Sequence, residues 1–319
     1  MPTPPTLTRL VPPVVPAYGL SPVRAANDAL MTRAVRSAMV ERGIERPLVL
    51  TTIPTMAGVL GSLGERASIY LRMDDFSLWP GYDHAAIAER EAKLISTADA
   101  VLAPSEELLR GLNPSRSGLS RHGVDVEHFA APGPGGDPLD GVPHPRALVA
   151  GRLDERLDAD VLTACLDVPG LHLVLLGEPV AIAPELLAHR RVHVRPPVAY
   201  ADLPRWLHAA DVLLVPYADS PLGHSLAPLK TRELIATGRP VLATPLRGTA
   251  GDPEVTPLLQ LANSRQTPDA LRRALDEPAS ARRARTEATR SMTWSSRARA
   301  LEAFVARILG EGANGPRPV

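Results

Sequence analysis

Lys230 and Glu233 stand three residues apart in a segment suited to binding an anionic ligand. Pro228 precedes them, and a helix that starts after this proline has free backbone N–H groups in its first turn. A lysine charge beside these groups would complete an anion site. The chain has only two lysines, Lys93 and Lys230, among 35 basic residues, which makes this lysine informative. A local Lys–Glu ion pair on one helix face is the alternative.

Arg152 directly follows Gly151 at the end of the apolar run ALVAG. This position predicts a phosphate contact, because parallel α/β sheets bind ligands at the carboxyl ends of their strands. Ser225 and Leu226 lie in a Gly-bearing loop, where backbone N–H groups can also contact a phosphate. A surface arginine and a purely structural loop are the alternatives.

Asp74 and Asp75 close another apolar run, IYLRM. A carboxylate at a strand end is placed to deprotonate a hydroxyl as a general base. The competing interpretation is a cap for the following turn, which aspartate also provides well. His122 is a further candidate, and a hinge hydrogen bond is its alternative role. The spacing of the histidines predicts no metal site.

The elements that position these residues alternate between short apolar strands and helices, which predicts an α/β fold with parallel sheets. The stretch from Ala130 to Pro145, AAPGPGGDPLDGVPHP, contains too much Pro and Gly for a helix or a central strand. We therefore predict two Rossmann-like lobes: an N-terminal lobe over residues 1–130, a linker over 131–145, and a C-terminal lobe with terminal helices over 146–319.

Composition excludes several classes of protein. Hydrophobic residues make up 45% of the 319 residues and charged residues 22%, which is enough for packed cores. The net charge of +0 lacks the excess of positive charge that is typical of nucleic-acid-binding proteins. The single cysteine, Cys165, excludes an intrachain disulfide, and its apolar surroundings predict a buried side chain. Without a signal peptide or a membrane-length apolar run, a cytoplasmic protein is expected.

Several segments in the same order resemble the GT-B glycosyltransferases of the family 4-like type, in particular those of bacterial exopolysaccharide and teichuronic-acid synthesis. The segments are YLRMDDFSLWPG (Tyr70–Gly81), ADAVLAPSEEL (Ala98–Leu108), HGVD (His122–Asp125) followed by Phe129, VAGRLDERLD (Val149–Asp158), LPRWLHAADVLLVPY (Leu203–Tyr217) and APLKTRELIATGRPVLAT (Ala227–Thr244). The resemblance covers the chain from about Tyr70 to Thr244.

The resemblance implies a nucleotide-sugar donor site in the C-terminal lobe. It assigns Arg152 to the diphosphate, and the further candidates for the donor site are Gly151, Ser225, Leu226 and Lys230. It also places Glu233 at the ribose hydroxyls, because a carboxylate can accept hydrogen bonds from a diol. The aspartate pair, Asp74 and Asp75, becomes the candidate catalytic base, and His122 a candidate residue of the cleft. The family needs no bound metal, and no cofactor is expected beyond a UDP- or GDP-linked donor.

The sequence departs from the family at three points. Ser225 stands where many members carry the first of two glutamates, and Leu157 stands where a lysine is common. The usual opening strand, Gly-rich turn and helix are not recognisable, which predicts a shortened N-terminal lobe.

A transferase that moves a sugar to a glycan or lipid-linked acceptor of the cell surface is the first hypothesis. It includes a peripheral contact with the inner face of the membrane. A sugar-nucleotide epimerase and a non-catalytic nucleotide-sugar binding protein are the alternatives on the same fold.

Overall fold

Short, mostly apolar runs form the central strands of two sheets, and every strand pair in both sheets is parallel. Such strands are covered on both faces and therefore carry apolar side chains throughout. The structure is a computed structural model that describes residues 7–15 and 20–311. Its contacts divide the chain into two units, called unit 1 and unit 2.

Unit 1 comprises the described residues up to Pro104, together with Leu108–Ser120 and the residues from Ala300 onward. Its sheet has the order β1-β2-β3-β4. The strands are β1 (Leu48–Thr51), β2 (Ala67–Leu71), β3 (Ala100–Ala103) and β4 (Ser117–Leu119), and the long helices are α1 (Ser21–Glu41) and α2 (His84–Thr97). Tyr70, Leu94 and Val101 form the centre of one core cluster, which packs β2 and β3 against α2.

Unit 2 comprises Ser105–Glu107 and Arg121–Arg299. Its sheet has the order β10-β9-β8-β5-β6-β7. The strands are β5 (Arg146–Ala150), β6 (His172–Leu176), β7 (Val192–Arg195), β8 (Val212–Val215), β9 (Val241–Ala243) and β10 (Gln260–Leu261). Cys165 is free and buried, as predicted.

The helices that follow α2 are mostly short, and α13, the longest of them, lies mainly in unit 1. Those before β9 are α3 (Glu106–Leu109), whose second half belongs to unit 1, α4 (Val126–Phe129), α5 (Ala159–Ala164), α6 (Pro184–Leu187), α7 (Leu203–His208), α8 (Pro221–Ser225) and α9 (Leu229–Ala236). Those after β9 are α10 (Arg247–Ala250), α11 (Thr267–Leu275), α12 (Ala279–Ala288) and α13 (Trp294–Glu311).

Apart from Ser105–Glu107, which belong to unit 2, the boundaries of the units differ from the predicted lobes in two places. The stretch predicted as a linker, residues 131–145, lies within unit 2 together with residues 121–130. Polar bonds hold it there: Asp137 pairs with Arg146 at 2.7 Å, and His144 Nδ1 lies 2.6 Å from Asp211 Oδ2. Pro and Gly exclude regular structure from this stretch, but they do not stop it from packing against the domain.

The second difference is at the C-terminal end, where residues from Ala300 onward belong to unit 1 rather than to the C-terminal lobe. Ile308 packs with Ala67 and Ala100, and Phe304 lies against the same cluster. The apolar face of α13 in this part of the helix therefore contributes to the core of unit 1.

Candidate functional site

A cavity opens at the carboxyl ends of β5 and β6 in unit 2. Each strand is followed by a glycine, Gly151 with φ +122° and Gly177 with φ +153°. A Cβ at Gly177 would overlap the carbonyl oxygen of Gly151, and one at Gly151 would lie 2.8 Å from Lys230 Nζ. Any larger residue at either position would clash with these neighbours. Both glycines also have a positive φ, which residues with side chains rarely adopt.

The cavity has a volume of about 220 Å³. Drug-sized ligands occupy pockets of roughly 300–1,000 Å³, so this space suits one part of a larger ligand. Besides the glycines, its walls include the apolar residues Leu176, Val198 and Leu203 and the charged residues Lys230 and Glu233.

Lys230 is the second residue of α9, and its side chain points back toward the end of β5. Its Nζ donates to the carbonyl oxygen of Ala150 at 2.9 Å and lies 5.5 Å from the ring centroid of Tyr217. Pro228 occupies the N-cap position of α9, and no side chain caps the helix there. The ammonium group and the amino end of a helix therefore meet at this cavity, and both favour a negative charge.

Glu233 lies one turn further along α9 and lines the same cavity. The described part of the chain offers its carboxylate no hydrogen bond and no ion pair with Lys230, whose ammonium instead bonds Ala150. Burial raises the pKa of Glu233 from its usual value, although the charges of Lys230 and His128 oppose the shift. The carboxylate is thus left with open acceptor capacity at a half-buried position.

Arg152 does not belong to the described residues that line this cavity. Its side chain is 64% exposed and lies 3.3 Å from Asp154, a buried carboxylate that Arg156 also binds through two hydrogen bonds of 2.8 Å. Burial opposes ionisation of Asp154, but the hydrogen bonds from Arg156 outweigh it and lower the pKa. Arg152 is therefore close to the strand end in sequence, with its head group directed to Asp154.

Ser225 and Leu226 are buried at the end of α8. The Ser225 hydroxyl donates to the carbonyl of Leu222 at 2.8 Å, and the Leu226 amide bonds the carbonyls of Leu222 and Gly223. The sequence predicted that backbone N–H groups here contact a phosphate. The Leu226 amide is instead used by the end of its own helix.

His122 lies in unit 2 within a network of arginines and carboxylates. Burial, and next the charge of Arg232, lower the pKa of His122 to about 4, so the ring is neutral at pH 7. Its carbonyl accepts from Arg297 Nε at 3.1 Å. This neighbourhood agrees with the alternative of a structural hydrogen-bonding role.

Sequence reasoning missed Arg232, which lies between the two charged cavity residues in the chain but faces away from them. It is 3% exposed and bonds Asp252 at 2.6 Å and Glu254 at 3.0 Å. Arg297 also pairs with Glu254. No local signal marks this network, since its carboxylates lie about twenty residues further along the chain.

Comparison with known proteins shows what this unit is similar to. Residues 145–277 match the family model described as Glycosyl transferases group 1. The matched residues, here called the group 1 domain, all lie in unit 2. The candidate cavity lies inside the matched residues, because all of its lining falls between Ala150 and Leu234. The predicted resemblance is confirmed at this level, and it supports the expectation of a transferase.

A curated relative agrees with this assignment. The D-inositol 3-phosphate glycosyltransferase of Xylanimonas cellulosilytica is 32% identical over 188 residues, which cover 50% of this chain and 43% of that protein. The chain therefore matches less than half the length of this relative.

Solved structures extend the comparison beyond the group 1 domain. Sucrose-phosphate synthase from Thermosynechococcus elongatus has a TM-score of 0.72 at 19% identity, covering 90% of this chain and 79% of that one. HepE from Anabaena in complex with UDP has a TM-score of 0.66 at 14% identity, covering 89% and 84%. The trehalose-phosphate synthase of Burkholderia vietnamiensis has a TM-score of 0.65 at 13% identity, covering 90% and 79%. These similarities confirm the predicted GT-B fold.

The aspartate pair lies outside the group 1 domain, in unit 1 after β2. Asp75 accepts from the Ser77 amide at 3.1 Å and from its hydroxyl at 2.5 Å, and it lies 3.4 Å from Arg72. This is the capping role that the sequence left open for one of the two. Asp74 is half-buried in the bend just before it. The structure thus gives Asp75 a capping role.

Two further observations concern the part of the chain that the structure describes. Nowhere in residues 7–15 and 20–311 do three His, Cys, Asp or Glu side chains come together as a metal-binding group. Among the helices of these residues, none is long and apolar enough to span a membrane.

Proposed function

We propose that this protein is a glycosyltransferase that takes a sugar from a nucleotide-diphosphate donor. The observation that carries the proposal is the cavity of the group 1 domain, where Lys230, the amino end of α9 and Glu233 meet at the carboxyl ends of β5 and β6. A leaving diphosphate needs positive charge, and fixed charges in a partly buried site provide it more effectively than water.

In this proposal the ammonium of Lys230 binds the diphosphate. The Glu233 carboxylate, which has no partner of its own among the described residues, accepts hydrogen bonds from the ribose hydroxyls. Arg152 would reach the diphosphate by leaving Asp154, which remains paired with Arg156. The fixed charges replace a metal ion, so a chelator should leave the reaction unchanged.

Uridine nucleotides are the first donors to test, because HepE was solved with UDP and with UDP-glucose; GDP-linked sugars follow. For the acceptor we propose a glycan or a lipid-linked sugar of the cell surface, met in the cytoplasm at the inner face of the membrane. The name of the Xylanimonas relative supports a second acceptor class, a cyclitol or sugar phosphate.

Incubation with a panel of nucleotide sugars, with and without acceptors of both classes, tests the proposal. We expect nucleotide release that depends on the acceptor and that persists in a chelator. Isomerised donor sugar would indicate an epimerase instead. Tight donor binding without release of nucleotide with any acceptor would indicate a non-catalytic binding protein.

A further inference from the structure

A second cavity of unit 2, here called the basic cavity, lies at the opposite ends of the strands. It has a volume of about 370 Å³ and is lined by residues that include Gly135, Asp137, Arg146, Arg205, His208 and Arg239. Arg146 is the first residue of β5, whereas the cavity of the proposed donor site lies at the last residue of the same strand. The two cavities are therefore distinct sites of one domain.

The carboxylates near the basic cavity already have partners. Asp137 binds Arg146 at 2.7 Å, and Arg146 also donates to three backbone carbonyls. Asp211 accepts from the Arg146 amide at 2.7 Å and contacts His144 Nδ1 at 2.6 Å. Asp137 balances Arg146, and neither carboxylate forms an ion pair with the other two arginines of the wall, Arg205 and Arg239.

Arg205 has no hydrogen bond or ion pair within the described residues, and its buried Nε lacks any acceptor there. Its guanidinium lies against Gly135, where an added Cβ would overlap it. A buried donor without a partner is unusual in a native structure. The terminal nitrogens of this guanidinium also have no partner among the described residues and, unlike Nε, are not enclosed, so they can donate to a ligand oxygen in the cavity.

Arg239 adds a second positive charge to the cavity. Its terminal nitrogen donates to the His208 carbonyl at 2.6 Å, and no carboxylate of the described chain forms an ion pair with it. Burial, and next the like charge of Arg282, lower the pKa of Arg239, although Asp211 opposes the shift. Arg205 and Arg239 both line the basic cavity, and neither forms an ion pair among the described residues, so together they attract an anion.

We propose that the basic cavity binds a phosphate group, either as inorganic phosphate or as the phosphate monoester of a small molecule. Arginine is suited to this ligand because its planar fork matches two phosphate oxygens at once. The volume leaves room for a small organic group beside the phosphate. Because the site lies at the other end of the sheet from the donor cavity, it binds this ligand in addition to any nucleotide sugar.

Calorimetric titration of the full chain with inorganic phosphate and with glycerol 3-phosphate tests the proposal, with UDP present at saturation so that the donor cavity is occupied. We expect saturable binding of one phosphate. Equal affinities would mean that the phosphate alone is recognised, and a tighter monoester would identify the organic group as part of the ligand. Absence of saturable binding by either probe would overturn the proposal.

Arg205→Gln is the decisive variant, because Arg205 makes no described bond that folding would lose. A charged hydrogen bond contributes roughly 1.5–3 kcal/mol, so we expect phosphate binding to weaken about 10- to 150-fold. UDP binding and the melting temperature without phosphate should not change. The matched control is Arg265→Gln, which removes an exposed arginine of the same unit outside the cavity. Parent-like phosphate affinity in a folded Arg205→Gln variant would refute the site.

Discussion

At the scale of single residues, the two lysines of the chain provide a matched pair. Lys230 lines the proposed donor cavity, whereas Lys93 is exposed on α2 of unit 1. Lys230→Ala should weaken UDP binding about 10- to 150-fold, since a hydrogen bond to a charged group contributes roughly 1.5–3 kcal/mol. Lys93→Ala should bind UDP like the parent. Equal affinities of both variants in a titration would contradict the placement of the diphosphate.

Glu233 should affect binding and stability in opposite directions. Its pKa is raised in the folded state, so folding favours the protonated form, and stability falls as the pH rises through the folded pKa. Glu233→Gln should therefore raise the melting temperature at pH 7 and leave it nearly unchanged below pH 4. UDP affinity should decrease at pH 7. The exposed Glu185 offers a control, because Glu185→Gln should change neither quantity. A Glu233→Gln variant that is less stable at pH 7 would show that the carboxylate has a structural partner.

The aspartate pair should divide into a base and a cap. A general base contributes about 10²- to 10⁴-fold, so Asp74→Asn should reduce transfer by that factor without weakening UDP binding. Asp75→Ala removes the bonds to Ser77 and should cost about 1 kcal/mol of stability, as other capping residues do. Activity and denaturant unfolding measured on both variants separate the roles. Full activity of a folded Asp74→Asn variant would exclude this residue as the base.

Part of the candidate site could be predicted from local sequence. Glycine marks the end of a strand and proline the start of a helix, so the sequence could place Gly151, Lys230 and Glu233 at one site. All three line the same cavity. Ser225 and Leu226 were harder to interpret, because the burial of a short helix end depends on residues distant in sequence. The network around Arg232 and the unpaired Arg205 were not predictable, since each depends on which carboxylates tertiary packing brings near.

At the scale of elements, a buried arginine of α12 contacts the end of α9 and also forms a buried ion pair. Arg285 donates to the carbonyl of Gly238 at 2.7 Å and pairs with Glu277, and both side chains are under 9% exposed. Removing one partner of a buried pair costs about 3–5 kcal/mol, because the other charge stays buried. Arg285→Ala should therefore reduce the free energy of unfolding by this amount.

The same region contains an exposed pair for comparison. Arg290 and Glu287 lie 2.7 Å apart with side chains 71% and 66% exposed. Exposed pairs contribute about 0–1 kcal/mol, so Arg290→Ala should hardly change the denaturation midpoint. If the two alanine variants lost equal stability, burial of the Arg285 pair would not be the cause.

Most elements of the fold followed from the sequence, because an apolar run bounded by glycine is a strong signal for a buried parallel strand. The two strands that were not predicted, β4 and β10, are the outer strands of their sheets and have three and two residues. Edge strands of this length bury little apolar surface and contain too few residues for a hydrophobic pattern to show in the sequence.

At the scale of the whole molecule, the last helix should stabilise unit 1 without contributing to the proposed nucleotide site. Ile308 is 9% exposed in a cluster of unit 1, whereas every residue lining the donor cavity belongs to unit 2. Ile308→Ala should destabilise unit 1 by about 2–5 kcal/mol. Hydrogen exchange should detect the loss in β2 and β3, while UDP affinity stays at the parent value.

The neighbouring Ala306 is exposed on the same helix and gives the control, since Ala306→Ser should alter neither exchange nor binding. Faster exchange in β5 and β6 than in β2 and β3 of the Ile308→Ala variant would contradict the assignment of this segment to unit 1.

The return of α13 to unit 1 has a consequence for how the protein is made. Domains usually fold as they leave the ribosome, with the N-terminal one first. Here Phe304 and Ile308, which complete a core cluster around Ala67 and Ala100, are synthesised after all of unit 2. During translation the apolar surface of β2 and β3 at this cluster therefore stays exposed until unit 2 and the end of α13 have been synthesised. Nascent unit 1 should need protection from aggregation for longer than its place at the start of the chain suggests.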